Sequence, residues 1–318
     1  MLLCIPYVTV MKKMSAIVAI VLVTICTGFA QFTEVMASLK AFTADTVTGW
    51  KKGATIFINT SQTSLTNWSA GGQNSLSING LTTVFANYRE KNINWDNTLD
   101  VGYGIMKQGK INKLIKTDDK IDFFSKYGYR VVKEWYFSAL FNFRTQITKG
   151  FKNPGDSVPM SNFLAPGYFL GAIGFDYKKH DIFSVFISPF TSKVTLVYNQ
   201  ALSDSGAFGV DRGKKLRSET GGYVRVIVKK NIAENVTFGI KVDLFSNYIN
   251  QPQNIDINWE TMLNLKANAY LSASLATHLV YDDDIKVGRD TDNDGVVDKR
   301  SARVQFKEML SIGVTLKF

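Results

Sequence analysis

The sequence is short of cysteine, proline, histidine and long apolar runs, and each shortage removes a class of protein. Of 318 residues only two are cysteines, Cys4 and Cys26. Both precede the cleavage site expected for an amino-terminal leader, so the mature chain should hold no disulfide and no thiol chemistry. Past the leader no apolar run approaches the roughly 20 residues that a spanning helix needs, which excludes a helical membrane bundle. No P-loop, Rossmann fingerprint, zinc spacing or nucleic-acid motif occurs in the context it requires. The formal charge of +10 would ordinarily raise nucleic acid as a partner. The basic residues are scattered through turns, loops and one strand face, however, so no nucleic acid is expected. A polar lumen and loops facing anionic lipid head groups account for them better.

What the chain does have is alternation and aromatics: 22 Phe, 13 Tyr and 5 Trp, with 24 Gly and only 6 Pro. At the carboxyl end, Leu310, Ile312, Val314, Leu316 and Phe318 fall on one face of a strand. Ser311, Gly313, Thr315 and Lys317 fall on the other. Ser311 to Phe318 resembles the closing strand of bacterial outer-membrane barrels, a polar-x-Gly-x-x-apolar-x-aromatic pattern. That resemblance implies a partner, the barrel-assembly machinery that reads such a strand. At the amino end, Lys12 and Lys13, the apolar Ala16–Ile25 and the small residues Gly28 and Ala30 read as a secretory signal cleaved after Ala30. Ile25 before Cys26 is not the small residue of a lipoprotein signal. The expected organisation is a signal peptide at 1–30, a periplasmic tail at 31–49 and a transmembrane barrel at 50–318.

About twelve segments alternate strongly enough to cross a bilayer as tilted strands of roughly 9–11 residues. Ile93, Trp95, Leu99 and Val101 stand against Asn94, Asp96, Thr98 and Asp100; Ile257, Trp259 and Leu263 against Asn258, Glu260 and Asn264. Short connections at 90–92, 133–134, 178–181, 230–234 and 267–268 alternate with mostly long ones, as periplasmic turns alternate with exterior loops. The fold expected is therefore all-β, an antiparallel transmembrane β-barrel of about twelve strands in a bacterial outer membrane. Pro189 leaves one ambiguity: either a strand is kinked there, or a hairpin turns at Ser188–Phe190 and the count becomes fourteen.

Few residues point to chemistry. Asp290, Asp292, Asp294 and Asp298 occupy positions 1, 3, 5 and 9 of a calcium loop, with Gly295 at the tight turn and Val296 offering a carbonyl. Ser301 stands where an EF-hand has its bidentate Glu, so calcium would be held weakly and would stiffen a surface loop. The bland reading is a solvated acidic turn. His180 falls in a turn; His278 shares the lumen face with Ser272 and Ser274, which raises a membrane hydrolase. Ser274 would lie roughly 13 Å from His278 along one strand, too far for proton transfer. Asp96, Asp100, Asp122, Arg130, Arg144, Lys241, Asp243, Glu260, Lys266 and Lys307 are expected to point inward, lining a path or pairing across a filled interior.

The segments Leu65–Gly72, Ser188–Thr191, Ile257–Glu260 and Leu279–Asp284 resemble an uncharacterised family of Bacteroidetes outer-membrane β-barrels, a domain of unknown function. The resemblance implies location and architecture, and no catalytic residue. Three functions follow as expectations: a pore or uptake protein for an unknown small solute, a non-conducting structural barrel, and a hydrolase. Trp68–Gly72 is the loop expected to fold inward, its bland reading being an aromatic-anchored turn.

Overall fold

The structure is a computed structural model that describes residues 48–64, 73–109, 114–151, 156–179, 182–289 and 298–318. The expected signal peptide, the tail to residue 47, the Trp68–Gly72 loop, His180, and Asp290, Asp292, Asp294 and Val296 lie outside the described residues.

Alternating segments become strands wherever one parity can face lipid and the other the interior. Eight strands run β1 (Gly49–Thr63), β2 (Ser75–Glu90), β3 (Ile93–Gln108), β4 (Ile115–Val132), β5 (Trp135–Thr145), β6 (Gly167–Lys179), β7 (Phe183–Leu196) and β8 (Leu216–Ala233). They continue as β9 (Val236–Asn247), β10 (Ile255–Lys266) and β11 (Leu271–Tyr281), then a small hairpin, β12 (Lys286–Arg289) with β13 (Lys299–Ala302), and finally β14 (Gln305–Lys317). Neighbours pair antiparallel in sequence order, and β14 pairs with both β11 and β1, closing a barrel of twelve strands. The expected 12-stranded antiparallel barrel is thus the observed one. The hairpin β12–β13, too short to alternate visibly, was not foreseen; the Asp-rich residues fall between its two strands in the sequence.

Polarity settles which side of the wall is which. Ile78, Val84, Leu99, Phe137, Ile173 and Trp259 are exposed on the outer face, whereas Asp96, Asp122, Lys126, Asp176, Lys241 and Glu260 are buried inside. A water-soluble barrel would invert this arrangement, so the fold is a transmembrane barrel. On the short-turn side the outer face carries a ring of aromatics. Trp50 lies 5.2 Å from Tyr88 and 5.6 Å from Trp95, and Trp135 lies 5.1 Å from Tyr177. Amphipathic rings of this kind sit at head-group level.

Pro189 resolves as a bulge and not a hairpin. The β7 register slips between Ser188 and Thr191 against β8, and between Ile173 and Phe175 on the facing strand β6. The extra residues leave Pro189 and Phe190 exposed. Ser188 holds the bulge by donating its hydroxyl to the Ile173 and Phe190 carbonyls, 2.8 Å each, while Thr191 donates to Ser188 Oγ at 2.9 Å. Opposite, a Cβ on Gly174 would collide with the Ile187 carbonyl and the Ser188 Cα, so this approach requires glycine.

Phe318 N donates to Ala54 O at 2.9 Å and Ala54 N to Phe318 O at 3.1 Å. Pairing of β1 with β14 then runs from Thr55↔Lys317 only to Asn59↔Gly313, although β1 continues to Thr63 and β14 begins back at Gln305.

Candidate functional site in the barrel lumen

The inward set of side chains is uneven around the wall. Leu140 on β5, Ala172 on β6, Phe186 on β7, Tyr223 on β8 and Phe245 on β9 form one apolar cluster inside the lumen, joined by Phe124 on β4 and Leu170 on β6. On β11, β14, β1 and β2 the buried inward positions mix Phe57, Leu81 and Ala276 with Ser272, Ser274, Ser311, Thr55 and Ser77. The cluster that joins five strands lies on the β5–β9 side.

The short-turn half is crossed by charge. Asp96 of β3 accepts from Arg89 of β2, and from Lys178 of β6 at 3.2 Å across the lumen. Asp176 accepts from Lys126 Nζ at 2.7 Å and Ser184 Oγ at 3.0 Å, and Lys178 lies 3.6 Å from the same carboxylate. The Tyr136 ring sits against both Lys178 and Arg130, whose charged groups are 5.3 and 5.4 Å from its centroid. Higher up, Lys241 pairs with Glu260 at 2.8 Å. Arg225 clamps both oxygens of Asp243, at 2.5 and 3.1 Å, and Tyr223 adds its hydroxyl at 2.6 Å. The Arg225 guanidinium also lies 5.1 Å from the Phe124 ring, four strands away.

In the long-loop half the lumen holds a cavity of about 460 Å³, within the range of small-ligand sites. Asn142 and Arg144 of β5, Tyr168 and Leu170 of β6, Lys193 of β7, Arg225 of β8, Phe245 of β9, His278 of β11 and Lys120 of β4 contribute to its wall. Phe208 and Ile285, from the long loops after β7 and β11, also line it. The first of these loops contains a short helix α1 (Gln200–Asp204) and buries Val197, Leu202 and Val210 against Ala165 of the β5–β6 loop, with Phe208 packed on that cluster. Arg217 joins Glu219 at 2.6 Å to Asp284 beyond β11, tying the loops together.

The carboxylates of the cavity are already engaged. Asp119 accepts from Lys116 Nζ at 2.7 Å and from the Ile147 and Thr148 amides at 2.6 and 2.8 Å. Lys193 Nζ lies 2.6 Å from Asp256, 3.3 Å from Asp282 and 3.6 Å from Glu219. Arg144 Nε is 3.3 Å from Asp122.

Of the inward charges expected from sequence, Asp96, Asp100, Asp122, Lys241, Asp243 and Glu260 are buried in the lumen, and Arg144 and Lys307 are half-buried there. Arg130 and Lys266 sit exposed at the short-turn rim, because each lies near the end of its strand. His278 Nε2 bonds Asn258 Oδ1, and its register neighbours are Glu260 and Lys307. Ser274 Oγ instead lies 3.4 Å from Ser311 Oγ. Asp298, the one described member of the Asp-rich set, is exposed. Among the described residues no cluster of three or more His, Cys, Asp or Glu forms a metal site. Sequence reasoning did not single out Lys120, Asp176, Lys178, Lys193 or Arg225. Parity alone would have placed Asp176 and Lys178 inside, opposite the outward Ile173, Phe175 and Tyr177.

Residues 60–151, less than a third of the chain, match a family described as a protein of unknown function (DUF3078). No curated protein matches the sequence. Among solved structures, an outer membrane channel from Pseudomonas putida F1 is similar at 10% identity and a TM-score of 0.41, over 86% of this chain and 97% of that one. The translocator domain of the autotransporter NalP from Neisseria meningitidis gives 9% identity and 0.39, over 88% and 92%. Outer membrane phospholipase A from Escherichia coli gives 8% and 0.36, over 88% and 97%. None of these likenesses carries an activity over to this chain, whose architecture rests on its own strand pairing and polarity.

Proposed function

We propose that this barrel resides in a bacterial outer membrane, short turns toward the periplasm, and takes up a small solute from outside. The observation that supports it is the asymmetry of the lumen. A cavity with mixed polar and aromatic walls occupies the long-loop half, while ion pairs span the other half. Solute would collect in the cavity and pass on when the Asp96–Lys178–Asp176 bridge parts. The filled short-turn half favours a second reading, a barrel that binds without conducting. The Asp-rich sequence between β12 and β13, Asp290 to Asp298, is proposed as a weak calcium loop that stiffens the outer surface.

Conductance of the full-length protein in a planar bilayer separates the two readings. Uptake predicts discrete steps in wild type, and a severalfold larger unit conductance for Lys178→Met, which removes the cation bridging two carboxylates. A folded protein silent in both forms would leave only the binding barrel.

A further inference from the structure

We infer that the lumen cavity binds a small organic anion carrying an apolar ring, with Lys120 as the anchor for its negative group. The inference rests on the uptake reading for its biological sense, but not for its test.

Lys120 lines the cavity and is only 4% exposed, and its Nζ is buried without a hydrogen-bond partner among the described residues. An ammonium withdrawn from water without an acceptor is costly, and the cost is offset only by an acceptor placed beside it. The charged groups in its neighbourhood are Asp118 and Asp122, two residues back and two on along the same strand, Asp100 paired opposite Asp122, Arg144 of β5 and Lys307 of β14. None of these carboxylates hydrogen-bonds the Lys120 ammonium. Asp118 does not relieve Lys120 by a direct bond; its Oδ1 accepts the Asp119 amide at 3.1 Å. The carboxylates that line the rest of the cavity, Asp119, Asp243, Asp256 and Asp282, are each held by a cation at 2.5 to 3.3 Å. An incoming anion therefore finds at Lys120 an ammonium with no hydrogen-bond partner among the described residues.

The remainder of the cavity selects the rest of the ligand. Arg144 reaches it from β5, whose register against β4 sets Arg144 opposite Asp122, one inward position from Lys120. Phe245, Leu170 and Phe208 supply apolar wall, and Asn142 and Asn258 supply neutral polar groups. A cavity of about 460 Å³ is of the size that takes a small ligand such as a substituted ring. Carboxylate, phosphate and sulfonate share the chemistry that Lys120 recognises, and the apolar wall distinguishes a ring-bearing anion from a bare inorganic one.

Isothermal titration of the full-length protein in detergent tests this with benzoate, benzamide and inorganic phosphate. One charge-assisted hydrogen bond predicts that benzamide binds roughly tenfold or more weakly than benzoate. Inorganic phosphate should also bind more weakly than benzoate, for want of the ring. Lys120→Met keeps the stem of the side chain, and should lower benzoate affinity by a similar factor while leaving benzamide unchanged; Lys120→Gln should agree. Removing a buried, unsatisfied charge gives both variants no reason to misfold, and an unaltered heat-dependent gel shift would confirm folding. Equal affinity for benzoate and benzamide, no benzoate binding, or benzoate binding indifferent to either substitution would each overturn the inference. Benzoate binding in a barrel silent in bilayers would sink uptake and leave this site standing. Conductance without benzoate binding would do the reverse.

Discussion

Asp176→Leu is expected to destabilise the barrel by roughly 3–5 kcal/mol, because it strands a buried cation. Lys126 Nζ lies 2.7 Å from Asp176 Oδ2, and the two side chains are 6% and 1% exposed. Lys178 keeps Asp96 as a second partner at 3.2 Å, so most of the cost falls on Lys126. Ser184, which donates to the same carboxylate, loses its acceptor as well. The double variant Lys126→Met/Asp176→Leu should recover most of the loss, since a well-packed apolar pair often matches a buried ion pair. Urea unfolding of the refolded protein in detergent, followed by tryptophan fluorescence, measures both. A single variant as stable as wild type would show that the network is open to water, and that it does not close the lumen.

Lys193→Met should have a comparable effect at the opposite end, with a different remedy. Three carboxylates, Asp256, Asp282 and Glu219, face one ammonium at 2.6, 3.3 and 3.6 Å. Take the ammonium away and they repel one another at the cavity mouth, at a cost of roughly 3–5 kcal/mol for breaking a buried pair. They also then enclose a vacancy lined by oxygens, the ligand type and reach that calcium favours. Millimolar calcium is therefore expected to raise the unfolding midpoint of Lys193→Met well beyond any shift it produces in wild type, by linkage of binding to folding. A calcium response identical in the two proteins would mean that the three acids do not converge. Arg217, 2.6 Å from Glu219, would then be the more important counter-ion.

The strands were legible because lipid and lumen impose opposite solvents on successive residues. Segments such as Ile93–Ile105 and Ile255–Leu265 could satisfy both only as strands. The proline at 189 was not legible, since its fate depended on Gly174, a residue on the neighbouring strand with no side chain to clash. Nor could the apolar half of the lumen be read. In Phe183–Ile187 both parities are largely apolar, and nothing local says that Phe186 turns inward to meet Tyr223 and Leu140. The ion pairs were hidden for another reason: Lys178 and Asp96 are 82 residues apart, and only strand order and register bring them together. Candidate charges could be chosen by parity, but partners could not. The cavity with Lys120 is therefore a property of the assembled wall, whereas the barrel itself is visible segment by segment.

The incomplete seam has a bearing on the membrane around the protein. Beyond Asn59↔Gly313, the β1 residues Thr60–Thr63 and the β14 residues Met309–Ile312 that stand opposite them have no ladder pairing between them. Hydrocarbon cannot satisfy such amides and carbonyls; each left dry costs several kcal/mol. Water must therefore reach down to this notch, past the exposed Leu310 and Ile312. On this flank the paired span runs only from Ala54 to Asn59, shorter than the roughly 9–11 residues of a tilted crossing. The bilayer is therefore expected to be drawn thin along one side of the cylinder, which would give the protein a front and a back in the plane of the membrane.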